Sequence, residues 1–206
     1  MKILAVCLGR PEILPGKKYK TGINKLAIQG PVMVDAEGLV GDAILNRKHH
    51  GGVDQAVYIE FSIDLDWWQA ELGRDLPYGT FGENVVIEGL ESAMLAAGDR
   101  LTIGEVLLEV TSARIPCATF AAKMGEPTFV KRYTRAARPG AYARVLQGGM
   151  VEAGQSVEFT PRSGDRVTIR EMMANFGRRL SETDRARYMA APVHYKVKDA
   201  IRAGKM

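Results

Sequence analysis

The stretch "DRLTIGEVLLEVTSARIPC", residues 99–117, decides how the rest of the chain is read. Its first part holds two β-prone runs that meet at Ile103-Gly104-Glu105, a glycine-centred tight connection. Its end is a stiff joint. Pro116 fixes its own φ and pushes Ile115 towards extended backbone, so the direction in which Cys117 leaves the strand is set by covalent geometry. A helix is expected to begin at or next to Cys117, in "CATFAAKMG", and to end at Gly125.

Working outward, the same short-strand signal recurs. It appears in "KILAVCL" near the start and in "KLAIQGPVMVDAEGLVGD", where Gln29-Gly30-Pro31 predicts a hairpin. It returns in "VDQAVYIEF", in "NVVIEGL" and in "GAYARVLQGGMVEAGQSVEFT". Many short strands of even spacing predict a mainly β chain whose edges are hidden in a barrel or sandwich. Helices interrupt the pattern. "SIDLDWWQAEL" has Ser62 as its expected N-cap, with Ile63 and Trp67 on the inner face and Trp68 at the border. After Pro161 the chain reads as helical to its end, and "SETD", residues 181–184, resembles a capping box with Asp in place of Glu. The expected division is therefore a β unit over residues 1–160 and a helical extension over 161–206.

The 206 residues are 46% hydrophobic and 25% charged, ordinary for a folded chain that can bury a sizeable core. No apolar run approaches the ~18 residues of a membrane span, and "MKILAVCLGR" lacks a small-residue cleavage site, so it reads as a first strand. Cys7 and Cys117 lie far apart in no metal-knuckle spacing, which points to a reducing cytosol as the expected location. The net charge of +4 is uneven: residues 161–206 carry 11 Lys/Arg against 5 Asp/Glu. Interleaving with apolar residues at helical spacing favours a solvated helix face over nucleic-acid binding.

Four segments have the residue types that chemistry needs. In "NRKHHGGVDQAVYIEF", residues 46–61, Gly51-Gly52 free the backbone for positive φ and close approach to a ligand, with His50 presented on a rim. In "YGTFGENVVIEGL", residues 78–90, Glu83 and Asn84 sit between Phe81 and an apolar run, where they either satisfy turn backbone or bind something. The loop "PGKKYKTGINK" supplies Lys17, Lys18, Lys20 and Lys25 as a candidate cationic flap, without the spacing of a P-loop. In "RIPC", Arg114 keeps its charge, and a helix starting beside Cys117 aims N–H groups at the sulfur. Both effects favour thiolate. A thiolate has three uses: nucleophile, redox centre or soft-metal ligand. Nothing in the spacing of His49 and His50 establishes a Cys-His hydrolase, and no tetrahedral zinc set is present in sequence. Cys7, mid-strand, fits an inert core residue.

Taken in order, "YKTGINK", "GLVGDAILNRKHHGGVDQAVYIEF", "FGENVVIEGL", "AGDRLTIGEVLLEVTSARIPCATF" and "GAYARVLQGGMVEAGQSVEF" resemble the MOSC family, named for the C-terminal domain of molybdenum cofactor sulfurases. The resemblance covers most of residues 1–160. It implies a mostly antiparallel β-barrel with peripheral helices that binds molybdenum cofactor, with Cys117 as thiolate ligand to the metal. The cofactor, an anionic pterin, would need cations, backbone donors and one soft ligand, for which His50, Gly51, Gly52, Glu83, Asn84 and Arg114 are candidates for the first two and Cys117 for the third, with Cys117 and His50 as the expected catalytic residues. The implied activity is reduction of N-hydroxylated bases or related small N-hydroxy compounds, using electrons from a separate reductase or a flavin or iron–sulfur protein that the basic tail could dock. A persulfide-carrying sulfur-transfer role for Cys117 is the alternative, and a homodimer is left open as the assembly. Gln55 stands where many relatives carry lysine, and "ATFAAKMG" is less aromatic than usual, which bears on substrate choice.

Overall fold

The computed structural model describes residues 1–47 and 50–206. The strands are β1 (Ile3–Gly9), β2 (Glu12–Ile13), β3 (Lys20–Thr21), β4 (Lys25–Ala27), β5 (Val32–Asp35), β6 (Gly38–Leu39), β7 (Val57–Phe61), β8 (Val85–Ile87), β9 (Arg100–Ile103), β10 (Val106–Ala113), β11 (Ala141–Gln147), β12 (Gly149–Val151) and β13 (Glu158–Thr160). Six α-helices accompany them: α1 (Ser62–Leu72), α2 (Ala118–Met124), α3 (Phe129–Ala136), α4 (Ile169–Asn175), α5 (Glu182–Ala190) and α6 (Tyr195–Arg202). None of them is long and apolar enough to cross a membrane.

Eight strands form one sheet in the order β13-β9-β10-β11-β7-β8-β1-β4, with smaller sheets β12-β5-β6 and β2-β3. Every pair in the large sheet is antiparallel except β7 and β8, which run parallel with Ile59 opposite Val85. Between those two strands the chain passes through α1, since parallel neighbours need a crossover rather than a tight turn. The hairpin expected at Gly104 is present, with Ile103 opposite Val106 and Gly104 at φ 57°. The fold is sheet-rich with peripheral helices, but the expected barrel closure is not what is seen. The large sheet has two ends, β13 and β4. A lone bridge between Lys2 and Ser156 brings the start of β1 near the lead into β13 without completing a ladder.

The break at Gln29-Gly30-Pro31 is not a hairpin. β4 pairs with β1, Cys7 opposite Ala27, whereas β5 pairs with β12 and β6 in another sheet. A turn signal marks a change of direction and leaves the partner unspecified.

In α1 the expected orientation of the two tryptophans is reversed. Trp68 is fully buried with Leu65 and Asp64, while Trp67 is partly buried and Ile63 is exposed. The inner face carries a charge: Asp64 accepts from Arg138 Nη1 at 2.9 Å and from Ser92 N at 2.7 Å. A paired, buried carboxylate at an inner position shifts the apolar period by one residue when only hydrophobicity is counted. Ser62 is the first helical residue rather than the N-cap, which is Phe61, and its Oγ accepts from Gly89 N at 3.1 Å.

α3 has no clear signal in sequence, yet its Phe129 and Tyr133, one turn apart, complete a buried aromatic cluster with Trp68, Phe81 and Phe120. Trp68 stacks on Tyr133 at 5.4 Å between centroids, and Phe81, Phe120 and Phe129 meet in edge-to-face or tilted contacts.

The tail forms three short helices. Ser181 caps α5 as expected, its Oγ accepting from Asp184 N at 3.1 Å. Several tail cations are paired, Arg187 with Glu171 and Asp184, and Arg202 with Asp199. Backbone bonds tie this region to the rest of the chain: His194 N donates to Thr111 O of β10 at 3.0 Å and Ile169 N to Leu95 O, ahead of β9, at 2.9 Å.

Candidate functional site

β10 delivers the chain to the site. Arg114 extends the pairing by one residue, donating its N–H to Gly140 O at 3.0 Å, after which Ile115 and Pro116 carry the chain out of the sheet. Cys117 then takes extended geometry as the N-cap of α2, and Gly125 ends that helix in the left-handed region.

The two cysteines differ as their surroundings dictate. Cys7 is buried in β1, and desolvation, reinforced by Glu83, pushes its thiol up to about 12. Cys117 is half-buried. Burial by itself would raise its thiol, but a hydrogen bond from His50, the charge of Arg114 and the backbone N–H of Phe120 outweigh it and bring the thiol down to about 6. Iodoacetamide should therefore alkylate cofactor-free protein at Cys117 with a rate that rises with pH through a midpoint near 6 and is flat above neutrality. Substituting His50→Ala should move that midpoint upward. A single rise in the ordinary thiol range, about 8.5, would contradict this account.

Arg114 has an unusual seat. It is 4% exposed, its guanidinium carbon lies 3.5 Å from the centroid of the Phe120 ring, and Tyr133 and Tyr58 flank it at 5.3 and 5.8 Å. Its Nη1 has no hydrogen-bond partner among the described residues. Aromatic faces offset part of the cost of burying this cation. The unpartnered donor remains a cost that an anionic oxygen would relieve.

The sequence-predicted residues divide into two groups. His50, Gly51, Asn84, Arg114 and Cys117 line one cleft. Gly51 and Gly52 both take positive φ, as the glycine pair predicted, but Gly52 stands behind the cleft at the start of a short 3-10 turn. Glu83 does not line the cleft. Its two carboxylate oxygens accept from Gly79 N at 2.5 Å and Phe81 N at 2.9 Å, so the turn itself uses them. Asn84 also spends its amide on structure, accepting from Tyr58 N at 3.1 Å and donating to Asp42 Oδ2 at 2.9 Å. Lys48 and His49 lie outside the described residues.

Of the lysine-rich loop, Lys20 and Lys25 reach the cleft. Lys25 is no flap residue: it is buried, and its Nζ pairs with Asp42 at 2.5 Å. Asp42, which sequence reading did not single out, holds three segments at once, accepting from Gly9 N, Lys25 Nζ and Asn84 Nδ2. Beside it the backbone is packed so closely that a Cβ on Gly22 would lie 1.7 Å from Ala43 O, and one on Gly9 would lie 2.3 Å from Gly22 O. Lys123 of α2 crosses to Ile23 O and Gly79 O, both at 2.8 Å, and burial brings its ammonium down to about 8. Gln55, Tyr58 and Tyr142 also face the cleft. Gln55 had a signal in sequence, standing where many similar chains carry lysine, whereas Tyr58 and Tyr142 lie in strand-forming runs that say nothing of a ligand.

Fold and cleft together define a sheet-rich protein with an ionisable cysteine and, at the same site, a buried arginine whose Nη1 has no hydrogen-bond partner among the described residues. A family model for the MOSC domain matches residues 46–158. The uncharacterized protein YflK of Bacillus subtilis is 32% identical over 169 residues, spanning 81% of this chain and 76% of that one. A protein named Reductase from Gibberella moniliformis is 30% identical over 151 residues, 71% of this chain but 27% of that protein. The crystal structure of YiiM from Geobacillus stearothermophilus superposes with a TM-score of 0.81 at 24% identity, covering 100% of this chain and 99% of that one. The chain belongs to the MOSC domain family.

Proposed function

We propose that this protein is a reductase of N-hydroxylated bases and related N-hydroxy compounds that works with molybdenum cofactor held in the Cys117 cleft. The observation that carries the reading is the pairing, in one cleft, of a thiol that ionises near pH 6 with a buried guanidinium whose Nη1 has no partner among the described residues. The cofactor is an anionic, phosphate-bearing pterin whose metal favours soft ligands, and the residues fit it: Cys117 offers the soft donor and Arg114 the cation. When bound, that group supplies an open metal position and the electron pair for cleaving N–O bonds. The protein's side chains do the rest. Arg114 holds an anionic oxygen, Gly51 lets backbone approach closely, and His50, within hydrogen-bond reach of Cys117, hands over a proton. Cleavage takes two electrons and two protons, converts N–OH to N–H and releases the oxygen as water. The electrons come from a separate reductase or a flavin or iron–sulfur protein. The similarity to a protein named Reductase, most of whose length lies outside the match, supports such a pairing.

A second reading rests on the same half-exposed thiolate: Cys117 as a persulfide that passes sulfur to a metal centre. Production in a host with intact cofactor synthesis separates the two. Near-stoichiometric molybdenum, and anaerobic reduction of 6-N-hydroxylaminopurine with an artificial electron donor only by cofactor-loaded protein, are expected. A cyanide-labile sulfur without molybdenum would replace this reading with the sulfur-carrier one.

A further inference from the structure

Glu60 of β7 is 0% exposed, and no step of the reductase reading uses it. Its Oε1 accepts from the Tyr58 hydroxyl and stands 3.5 Å from the Tyr133 hydroxyl, while its Oε2 has no hydrogen-bond partner among the described residues. Neither oxygen therefore meets a cation. Gly140 closes one side of the carboxyl: a Cβ there would lie 2.5 Å from the Tyr58 ring and 2.7 Å from Glu60 Oε1. The two tyrosines are the ones that flank Arg114, at 5.8 and 5.3 Å from its guanidinium carbon. Gly140 ties the same groups together through its backbone, taking the Arg114 N–H on its carbonyl at 3.0 Å and donating its own N–H to the Tyr133 hydroxyl at 3.3 Å. The hydroxyls around Arg114 thus converge on Glu60.

The charge of this carboxyl decides what it does to Arg114. An ionised carboxylate needs a cation or several donors to offset its lost hydration, and here it would have one close donor. Burial holds the Glu60 carboxyl well above its ordinary 4.5, and the charges of Glu83, ahead of β8, and Asp64 of α1 push the same way, against the Tyr58 hydrogen bond and the charge of Arg114. Burial also holds Tyr58, Tyr133 and Tyr142 above the ordinary tyrosine range, so all three keep their protons. The buried acids that build the seat of Arg114 are therefore neutral.

We propose that Glu60 is a positioning residue of the site: held as a neutral carboxylic acid, it fixes Tyr58 and Tyr133 around Arg114 without cancelling the charge that Arg114 exerts on Cys117. An ionised Glu60 would do the reverse. It would give Arg114 a compensating charge from inside the protein and weaken one of the forces that bring the Cys117 thiol down. The role is set by protein groups alone, so it holds whether the cleft serves reduction or sulfur transfer.

The test compares the full-length, cofactor-free wild type with Glu60→Gln and Glu60→Leu. In infrared difference spectra at neutral pH, the wild type should show the carbonyl stretch of a protonated carboxylic acid that Glu60→Gln lacks. Denaturant titrations across pH give a second readout. Glu60 ionises in the unfolded chain near 4.5 and stays protonated in the folded one, so folding takes up a proton above that pH. The folded-to-unfolded ratio of the wild type should therefore fall relative to Glu60→Gln, by up to about tenfold per pH unit, as pH rises from about 5 to 7. The alkylation midpoint of Cys117 reports on Arg114. It should stay unchanged in Glu60→Gln, where a neutral group replaces a neutral group and an oxygen still accepts from the hydroxyls, and should move upward in Glu60→Leu, which frees them. Should Glu60→Leu not fold, Tyr58→Phe, which removes only the hydroxyl bonded to the carboxyl, should give the same upward move. Absence of the carboxylic-acid band, a stability difference that does not vary with pH, or a midpoint that falls in Glu60→Gln, as loss of a carboxylate charge would cause, overturns the neutral acid. A midpoint unmoved by Glu60→Leu, or by Tyr58→Phe in its place, overturns the positioning role. Neither failure touches the reductase reading, since no readout involves turnover.

Discussion

On the proposed reductase reading, Cys117→Ser protein is expected to lose reduction of N-hydroxy compounds by well over the ~100-fold that follows disturbance of groups merely supporting a metal ligand, and its molybdenum content should fall with it. Serine keeps the position and nearly the size. It cannot keep the chemistry, because the forces that bring the thiol down to about 6, chiefly His50 and Arg114 acting against burial, are far too small to ionise a hydroxyl. Cys7→Ala supplies the contrast. That sulfur is sealed in β1 with its thiol pushed up to about 12, so its loss should cost some stability and leave turnover unchanged. Turnover retained by Cys117→Ser at more than a tenth of wild type would count decisively against cysteine ligation.

Trp68→Ala should lower stability by about 4 kcal/mol, readable in a denaturant titration, whereas Trp67→Ala should cost much less. Trp68 is 0% exposed and touches Tyr133, Phe81 and Phe129. The effect should extend to the site, since Phe120, which carries the Arg114 guanidinium, packs on Phe81, Phe129 and Tyr133. In variant protein that still folds, the pH midpoint of Cys117 alkylation should therefore move upward as Arg114 loses its seat. Equal costs at the two tryptophans would refute this packing.

The strongest part of the sequence reading was local. Pro116, the helix behind Cys117, the turn at Gly104 and the Ser181 cap are each decided by a few neighbouring residues, and each is found where expected. What escaped was set at a distance. Asp64 hid the inner face of α1 because its partners Arg138 and Ser92 are far along the chain. Closure of the sheet depends on whether β13 and β4 meet, which no strand states by itself. The docking of the tail turns on bonds such as Tyr195 N to Asp54, 141 residues apart, which had no signature in sequence.

The close stacking of Gly9, Gly22 and Ala43 has a practical meaning for anyone redesigning this protein. Where Gly22 and Ala43 line the cleft, main chain is pressed on main chain, and no side chain can be introduced at Gly22 without moving the backbone. A library aimed at new substrates should spare those positions and vary lining side chains outside the His50, Arg114 and Cys117 set, such as Ile44, Leu45 and Thr119, where shape is written in residues that can be exchanged.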